Sequence, residues 1–337
     1  MTTNTKTPET HSELPPAGAR TGISEALHIR SWRSAAIVVP FVVLFVVLSV
    51  ASGPFLTTSN LLNIADQQSA VLIIAVASTL VLIAGGIDLS VGATYALSAV
   101  VSAQVAVSHG VALGIVTGMA LGIVAGLING IVTTFFRVNS LIATLATALI
   151  FSGIAAKLSN GNLIVLTNQP AYAKIAQTQF LGVRMSIWLA LAVIIVLGLL
   201  LSRTTNGRYI YAAGGNAQAA RLAGVRINFV VILAFTINGA AAALGGIIDT
   251  SRVLSAQSSS GGNTLTFLVL TGIVVGGTSI LGGAGAIWRT VVGVLFIALV
   301  GNGFDLLGLD PLYEQITLGI ILLVAVGTDA WSRLRQS

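Results

Sequence analysis

Between Ala35 and Phe136 the chain carries no lysine or arginine, and its only acids are Asp66 and Asp88. A soluble domain carries roughly 25% charged residues. This chain has 8%, with 55% hydrophobic residues over 337. Its mean hydropathy is +0.97. The solvent for most of the chain is therefore lipid, and the fold class is an all-α polytopic membrane protein. About ten stretches approach the ~20 residues that cross a bilayer. They run roughly over 35–51, 61–84, 90–108, 111–136, 140–157, 186–202, 228–250, 262–282, 286–304 and 313–328.

Residues 1–34 are polar, include Pro15 and Pro16, and read as a disordered cytoplasmic tail, helical at most near Ile23 to Ile29. A secretory signal places its apolar core close to the start. Here the first apolar run opens only at Ala35, so it is an uncleaved anchor, and Arg30 and Arg33 hold the N-terminus in the cytoplasm. The membrane domain then covers 35–330 and a cytoplasmic C-terminal tail covers 331–337. With this orientation Arg137, the loop 203–227, Arg333 and Arg335 face the cytoplasm, and Asp305 and Asp310 face out. Lys157, Lys174 and Arg184 fall on the outer side, against the positive-inside bias.

The net charge of +6 fits that bias; the arginines are scattered over loops and make no nucleic-acid footprint. There is no cysteine, which excludes disulfides and thiol chemistry. His11, His28 and His109 are too far apart in sequence to suggest a metal site. No Ser-His-Asp set, His-Glu-x-x-His helix or phosphate-binding Gly-x-x-x-x-Gly-Lys loop is present. The chain has no nucleotide site of its own.

Arg203 to Arg226 is a long polar interruption with four arginines and no acid. Gly214-Gly215 breaks the chain, Asn216 is placed to cap a helix, Ala217 to Ala223 make about two turns, and Gly224 closes them in a left-handed conformation. A capped basic helix between two spans reads as a docking element on the cytoplasmic face.

The chain also repeats itself weakly. Gly85-Gly86-Ile-Asp-Leu-Ser-Val-Gly92-Ala93 aligns without a gap with Gly276-Gly277-Thr-Ser-Ile-Leu-Gly-Gly283-Ala284, and Asn129-Gly130 matches Asn302-Gly303. The second pair stands about one span closer together than the first. Either the second half has one crossing fewer, or a span is broken or re-entrant, as in transporters built from repeats. Chance recurrence among 37 glycines is the other reading.

Gly110, Gly114, Gly118, Gly122, Gly126 and Gly130 recur at every fourth residue. Such a row stays on one helix face with a slow drift and admits a second backbone. It serves either static close packing or a sliding surface.

Polar groups within spans are penalised unless paired or lining a cavity. Asp66, near Asn63, Gln67 and Gln68, and Asp88, within Gly85-Gly86-Ile87-Asp88-Leu89-Ser90, either gate a cavity or cap and pair helix ends. Ser90, Asn139, Ser140, Thr144, Thr147, Asn238, Thr278 and Asn302 add neutral hydrogen-bonding groups. They suit a polyhydroxy ligand, or a neighbouring helix equally well.

Several of these segments together resemble one family, the permease subunits of bacterial sugar ATP-binding-cassette importers of the ribose type. The resemblance spans about 35–330. It rests on Gly85-Gly86-Ile87-Asp88-Leu89-Ser90-Val91-Gly92, Asn139-Ser140-Leu141-Ile142-Ala143-Thr144-Leu145, Gly207 to Asn216, Ala219-Ala220-Arg221-Leu222-Ala223-Gly224, Gly276-Gly277-Thr278-Ser279 and Leu281-Gly282-Gly283. It implies a plasma-membrane pair of permeases, identical or paralogous, with a cytoplasmic ATPase pair that uses ATP and an extracytoplasmic sugar-binding protein. It assigns ATPase docking to Gly207–Gly224, where Gly207, Arg208, Gly214, Gly215, Asn216, Ala219, Ala220, Arg221 and Gly224 match, with Arg208 and Arg221 as charged contacts. The chain itself would bind no cofactor and catalyse no reaction. A branched-chain amino-acid permease of the same superfamily would share the topology, and a secondary transporter would need buried ionisable groups for ion coupling. Asp66, Asp88, Asp249 and Glu314, all near span ends, are a thin supply.

Overall fold

The computed structural model describes residues 22–334, with side chains over 37–328. In chain order the helices are α1 (Gly22–Ala51), α2 (Thr58–Ile83), α3 (Val91–His109), α4 (Val111–Thr134), α5 (Ser140–Ser159), α6 (Pro170–Gln177), α7 (Met185–Arg203), α8 (Thr205–Gly215), α9 (Ala217–Leu222), α10 (Ile227–Val253), α11 (Gly262–Val275), α12 (Ile287–Leu306) and α13 (Pro311–Leu334). Four two-residue strands, β1 (Ile164–Val165), β2 (Gln179–Phe180), β3 (Val183–Arg184) and β4 (Ser255–Ala256), pair as β1–β4 and β2–β3.

Among the described residues eight helices are long and apolar enough to cross a membrane, namely α2, α3, α4, α5, α7, α10, α12 and α13. The two other expected spans fall on shorter apolar stretches, Ile37–Ala51 of α1 and Gly262–Val275. At 14 residues α11 covers about 21 Å, short of the ~30 Å hydrocarbon layer. Most of the expected N-terminal tail lies outside the described residues. The helix read near Ile23 to Ile29 begins at Gly22 and runs unbroken into the first span.

The centre of the bundle is α2. Of its apolar window 89% is buried, against 22% for α7 and none for α13. Ile73, Val76, Ala77, Leu80 and Ile83 of α2 join Val230, Ala234, Phe235 and Ile248 of α10 in the largest apolar cluster. Backbone-close packing of α4 explains how α10 reaches that position. A Cβ on Gly114 would stand 2.5 Å from the Ser102 carbonyl oxygen of α3, and one on Gly118 2.8 Å from Ser102 Cβ. One turn further the row passes to α10: Gly122 meets the Gly239 carbonyl at 2.5 Å, Gly126 meets Thr236 Cα at 2.9 Å, and Gly130 meets Ile232 Cα at 2.8 Å. Gly239 answers from α10 against Gly126 Cα at 2.8 Å. The drift of a four-residue repeat on a 3.6-residue helix thus serves two neighbours in turn. Gly110 does a different job. It turns the chain between α3 and α4 at φ 96 and packs against nothing.

Both α2 and α11 end in the same way. Gly85 (φ 87) donates to the Leu82 carbonyl and Gly86 to that of Val81; Gly277 (φ 76) donates to Val274 and Thr278 to Ile273. These are two Schellman caps, each with its glycine in the left-handed position. The aligned glycine pairs are therefore equivalent with a one-residue shift, Gly85 to Gly277. The second match is not a structural equivalence. Asn302 bonds Asn60 at the start of α2, at 2.9 Å and 3.1 Å, whereas Asn129 bonds Ser90 beyond its end, at 2.7 Å.

Candidate functional site

At one end of the bundle α8 and α9 form the polar excursion between α7 and α10. The Asn216 side chain accepts from Ala219 N–H at 2.9 Å, α9 runs over Ala217–Leu222, and Gly224 has φ 84. That is the capped helix read from the sequence. The segment before it differs from expectation. Gly214-Gly215 is no break, because Thr205–Gly215 forms the two lower-propensity turns and more of α8, capped by Thr204 on Gly207 N–H at 3.1 Å. Its glycines are needed for proximity: a Cβ on Gly207 would stand 2.5 Å from the Leu200 carbonyl oxygen. Ile210 and Ala213 are buried beneath α8, and Ala220 beneath α9. Arg208, Asn216, Ala219 and Arg221 are exposed, and Leu222 is 91% exposed.

Three segments meet under α8. Gly283 N–H donates to the Ile83 carbonyl at 2.9 Å, joining the link 276–286 to the end of α2. Gly214 lies against that bond; a Cβ there would overlap the Ile83 carbonyl oxygen and stand 2.7 Å from the Gly283 nitrogen. Gly282 approaches Gly85 Cα and Gly283 approaches Gly215 Cα, each at 2.8 Å from an added Cβ. The Tyr211 hydroxyl donates to the Gly285 carbonyl at 2.8 Å. Only bare backbone allows these contacts.

Beside this junction the non-helical stretch Ile87–Ser90 is held by side chains. Ser140 Oγ accepts from Ile87 N–H and Thr144 Oγ1 from Leu89 N–H, each at 3.0 Å. One Asp88 oxygen accepts from Ser90 N–H at 2.9 Å and Ser90 O–H at 2.7 Å; the other accepts from Asn238 Nδ2 at 2.9 Å. Asn238 Oδ1 accepts from Ser78 at 2.8 Å. Asn129 donates to Ser90 Oγ at 2.7 Å and accepts from Thr147 at 2.7 Å. Asp88, Ser90, Asn129, Thr144, Thr147, Ser78 and Asn238 are all buried. Ordering a break inside a bilayer requires such substitutes for the lost helical bonds. The structure thus brings Asp88, Ser90, Ser140, Thr144 and Asn238 together, and Asn139 caps α5 on Leu141 N–H at 2.9 Å.

Asp66, Asn302 and Thr278 lie elsewhere. Asp66 is buried at the start of α2, where it pairs with Arg184 at 2.5 Å and accepts from Ser186. Asn302 makes the amide pair with Asn60 described above. Thr278 Oγ1 is buried beside the glycine junction with no hydrogen-bond partner. Arg184, a misfit by charge bias, is therefore the counter-ion that lets Asp66 sit inside the bundle. Asp66→Ala leaves buried Ser186 without its acceptor, and is expected to destabilise the protein by about 1–2 kcal/mol. A thermal melt in detergent measures it, and an unchanged melting curve would count against the clamp.

Sequence reasoning missed a second cluster at that end. Tyr95 donates to Asp249 at 2.5 Å, and Arg252 pairs with the same carboxylate at 2.5 Å. Tyr95 and Asp249 border a small cavity of about 90 Å³ with Gln257 and Ser260. Asp249 and Arg252 stand one helical turn apart, a spacing that pairs charges; Tyr95 comes from a distant span and gave no signal. Nearby, Tyr172 and Ser102 share a 2.6 Å hydroxyl contact. Burial pushes the Tyr172 hydroxyl up to about 12, so it stays protonated through the physiological range.

A helical bundle with eight long apolar spans among the described residues, paired capped breaks and a capped polar loop has the build of a membrane permease. Comparison with known proteins agrees. Residues 60–326 match the family described as "Branched-chain amino acid transport system / permease component". The chain belongs to this family, and it is a multi-pass transport subunit of the plasma membrane. Among curated relatives, the ribose import permease of Bacillus subtilis is 38% identical over 296 residues, covering 86% of this chain and 91% of the relative. That of Haemophilus influenzae is 35% identical over 295 residues, with the same coverage. The L-arabinose transport system permease of Escherichia coli is 36% identical over 306 residues, covering 90% and 92%. No solved structure matches the chain.

Proposed function

We propose that this chain is the translocating subunit of an ATP-driven importer for a monosaccharide, a ribose-like pentose, a hexose or a polyol, and that the α8–α9 loop receives the ATPase. The pentose permeases among its relatives support the substrate class. The observation that carries the docking role is the make-up of α9. It is a rigid, capped helix that presents Leu222 almost wholly to solvent beside exposed Arg221, on a loop without an acid. Arginine is enriched among the residues that carry protein contacts, and an apolar side chain left in water beside it gains by being covered. On this reading the α8–α9 end faces the cytoplasm with both termini. A second permease completes the pathway, and an extracytoplasmic sugar-binding protein delivers at the β1–β4 end. The chain binds no cofactor, and ATP belongs to the partner.

Force then has a defined route. Closure of the ATPase pair moves α9 and α8, and Gly214 and Gly215 bear directly on the end of α2 and on the link 276–286. The Asp88 network passes that displacement to α4, α5 and α10. Asp88, Ser90, Asn139, Ser140, Thr144 and Asn238 shape the segments that border the path.

A mild-detergent pull-down of the tagged protein from its host, followed by mass spectrometry, tests the class. An ATPase subunit and a secreted sugar-binding protein in the eluate support it. Recovery of the chain without any ATPase, with uptake that stops when the proton gradient collapses, sinks it. Arg221→Glu is expected to leave the permease folded while abolishing ATPase co-purification and uptake. Unchanged co-purification would remove Arg221 from the docking surface.

A further inference from the structure

The largest cavity described, about 740 Å³, is an open groove at the α8–α9 end, which shares Arg221 and the end of α2 with the transport reading. Its floor is Ala84–Gly86 at the end of α2, and its walls come from the end of α4 and the turn between α9 and α10. Three arginines line it, Arg137, Arg221 and Arg226. Among the described residues none of the three pairs with an acid. Three like charges around one groove repel one another unless an anion joins them. Arg137 is, moreover, a non-glycine residue at φ 54 in the turn after α4. Such a conformation is sparsely populated and persists where its surroundings require it. Thr133 supplies an independent sign. It is among the groove's lining residues, and its enclosed hydroxyl has no hydrogen-bond partner.

We infer that this groove binds the phosphate headgroup of an anionic phospholipid. The three arginines would hold the phosphate oxygens and the Thr133 hydroxyl would donate to one of them. The rim selects a lipid over a free anion or an acidic protein segment. Phe135, itself part of the lining, is 66% exposed, and Phe136 next to it is 71% exposed. Both sit at the end of an apolar span, so the wall that leaves the arginines continues along the lipid-facing surface. A soluble protein meeting these arginines would leave that apolar wall unmatched, whereas a phospholipid matches both halves. Basic pockets between spans on the cytoplasmic side bind anionic headgroups in this manner. Arg221 of α9 belongs to both readings, whereas Arg137, Arg226 and Thr133 lie outside that helix, so the variants below leave the docking helix intact.

The test uses the purified full chain in neutral detergent, titrated with phosphatidylglycerol, phosphatidylcholine or inorganic phosphate. Native mass spectrometry counts bound lipid and a thermal melt reports stabilisation. Saturable binding and stabilisation by phosphatidylglycerol alone are expected, with at least about a tenfold loss of affinity in Arg137→Gln/Arg226→Gln. The effect should weaken as salt rises. Equal affinity in the double variant, or equal stabilisation by phosphatidylcholine, would overturn the proposal. Equal stabilisation by inorganic phosphate would replace the lipid with a free anion. Displacement of the lipid on adding the ATPase subunit would give the groove to the protein interface instead. If the double variant does not purify, Thr133→Val and Arg226→Gln are read singly in the same titration, and wild-type affinity in both counts against the site.

Discussion

Gly122→Leu is expected to prevent assembly of the bundle. Gly122 stands where α4 crosses α10, and even a methyl group would meet the Ala243 methyl and lie 2.5 Å from the Gly239 carbonyl oxygen. Neither neighbour can give way. Ala243 is fully buried, and Gly239 is itself pressed against Gly126 Cα. One extra methylene in a close-packed interior costs about 1–3 kcal/mol. A whole isobutyl group forced between two backbones exceeds that, and α10 would be displaced from α2 as well. The measurable result is loss of a monodisperse peak in detergent and low accumulation in the membrane. Gly198→Leu on α7 is the control, since a Cβ there meets nothing within 4 Å. It keeps the hydrophobic insertion signal and leaves packing alone. If Gly122→Leu and Gly198→Leu behave alike, the glycine row does not mediate the α4–α10 contact.

That row was legible because its logic is periodic. Repetition at every fourth residue reports a close face, though the identity of the neighbours, first α3 and then α10, depends on the tertiary fold. The cap at Asn216 and the left-handed Gly224 were legible for a similar reason, since capping is local chemistry. The helix α8 was not. Gly207, Gly214 and Gly215 lower helix propensity and so read as loop. Their reason is tertiary: Gly207 brings α8 against the end of α7, and Gly214 brings it against Ile83 and Gly283, both far away in sequence. The Asp88 network illustrates the same limit. Asp88 and Asn238 could be singled out as polar groups in apolar surroundings. Nothing in sequence joined them to each other or to Ser78, Asn129 and Thr147, which lie on three different apolar helices. Arg184 looked misplaced by charge bias because its partner, Asp66, lies 118 positions away. Of the repeat read from the sequence, the paired caps were legible through their glycines but one residue out of register, because the aligned quantity was residue identity. The conserved geometry is the left-handed position of each cap, Gly85 in one and Gly277 in the other.

The glycine junction gives the second large effect, and two adjacent residues separate its causes. Gly214→Ala is expected to lower uptake by about tenfold or more, within the about 5–150-fold range of coupling between sites. The added methyl would overlap the Ile83 carbonyl oxygen, the acceptor of the Gly283 N–H bond that ties the link 276–286 to α2. α8 must then retreat from both, so displacement of α9 no longer reaches the end of α2. Docking itself should survive, because exposed Arg221 and Leu222 lie beyond the Asn216 cap on a separate helix. The ATPase subunit should therefore still co-purify, and ATP hydrolysis should continue without transport. Gly215→Ala should behave differently. Its Cβ would find the nearest atom, Gly283 Cα, at 4.0 Å, an ordinary contact, and its backbone is helical. Uptake by that variant should stay close to wild type. If both alanines are tolerated, α8 does not transmit force through Ile83 and Gly283. If both abolish ATPase co-purification, the junction shapes the docking surface and transmission must run through another contact.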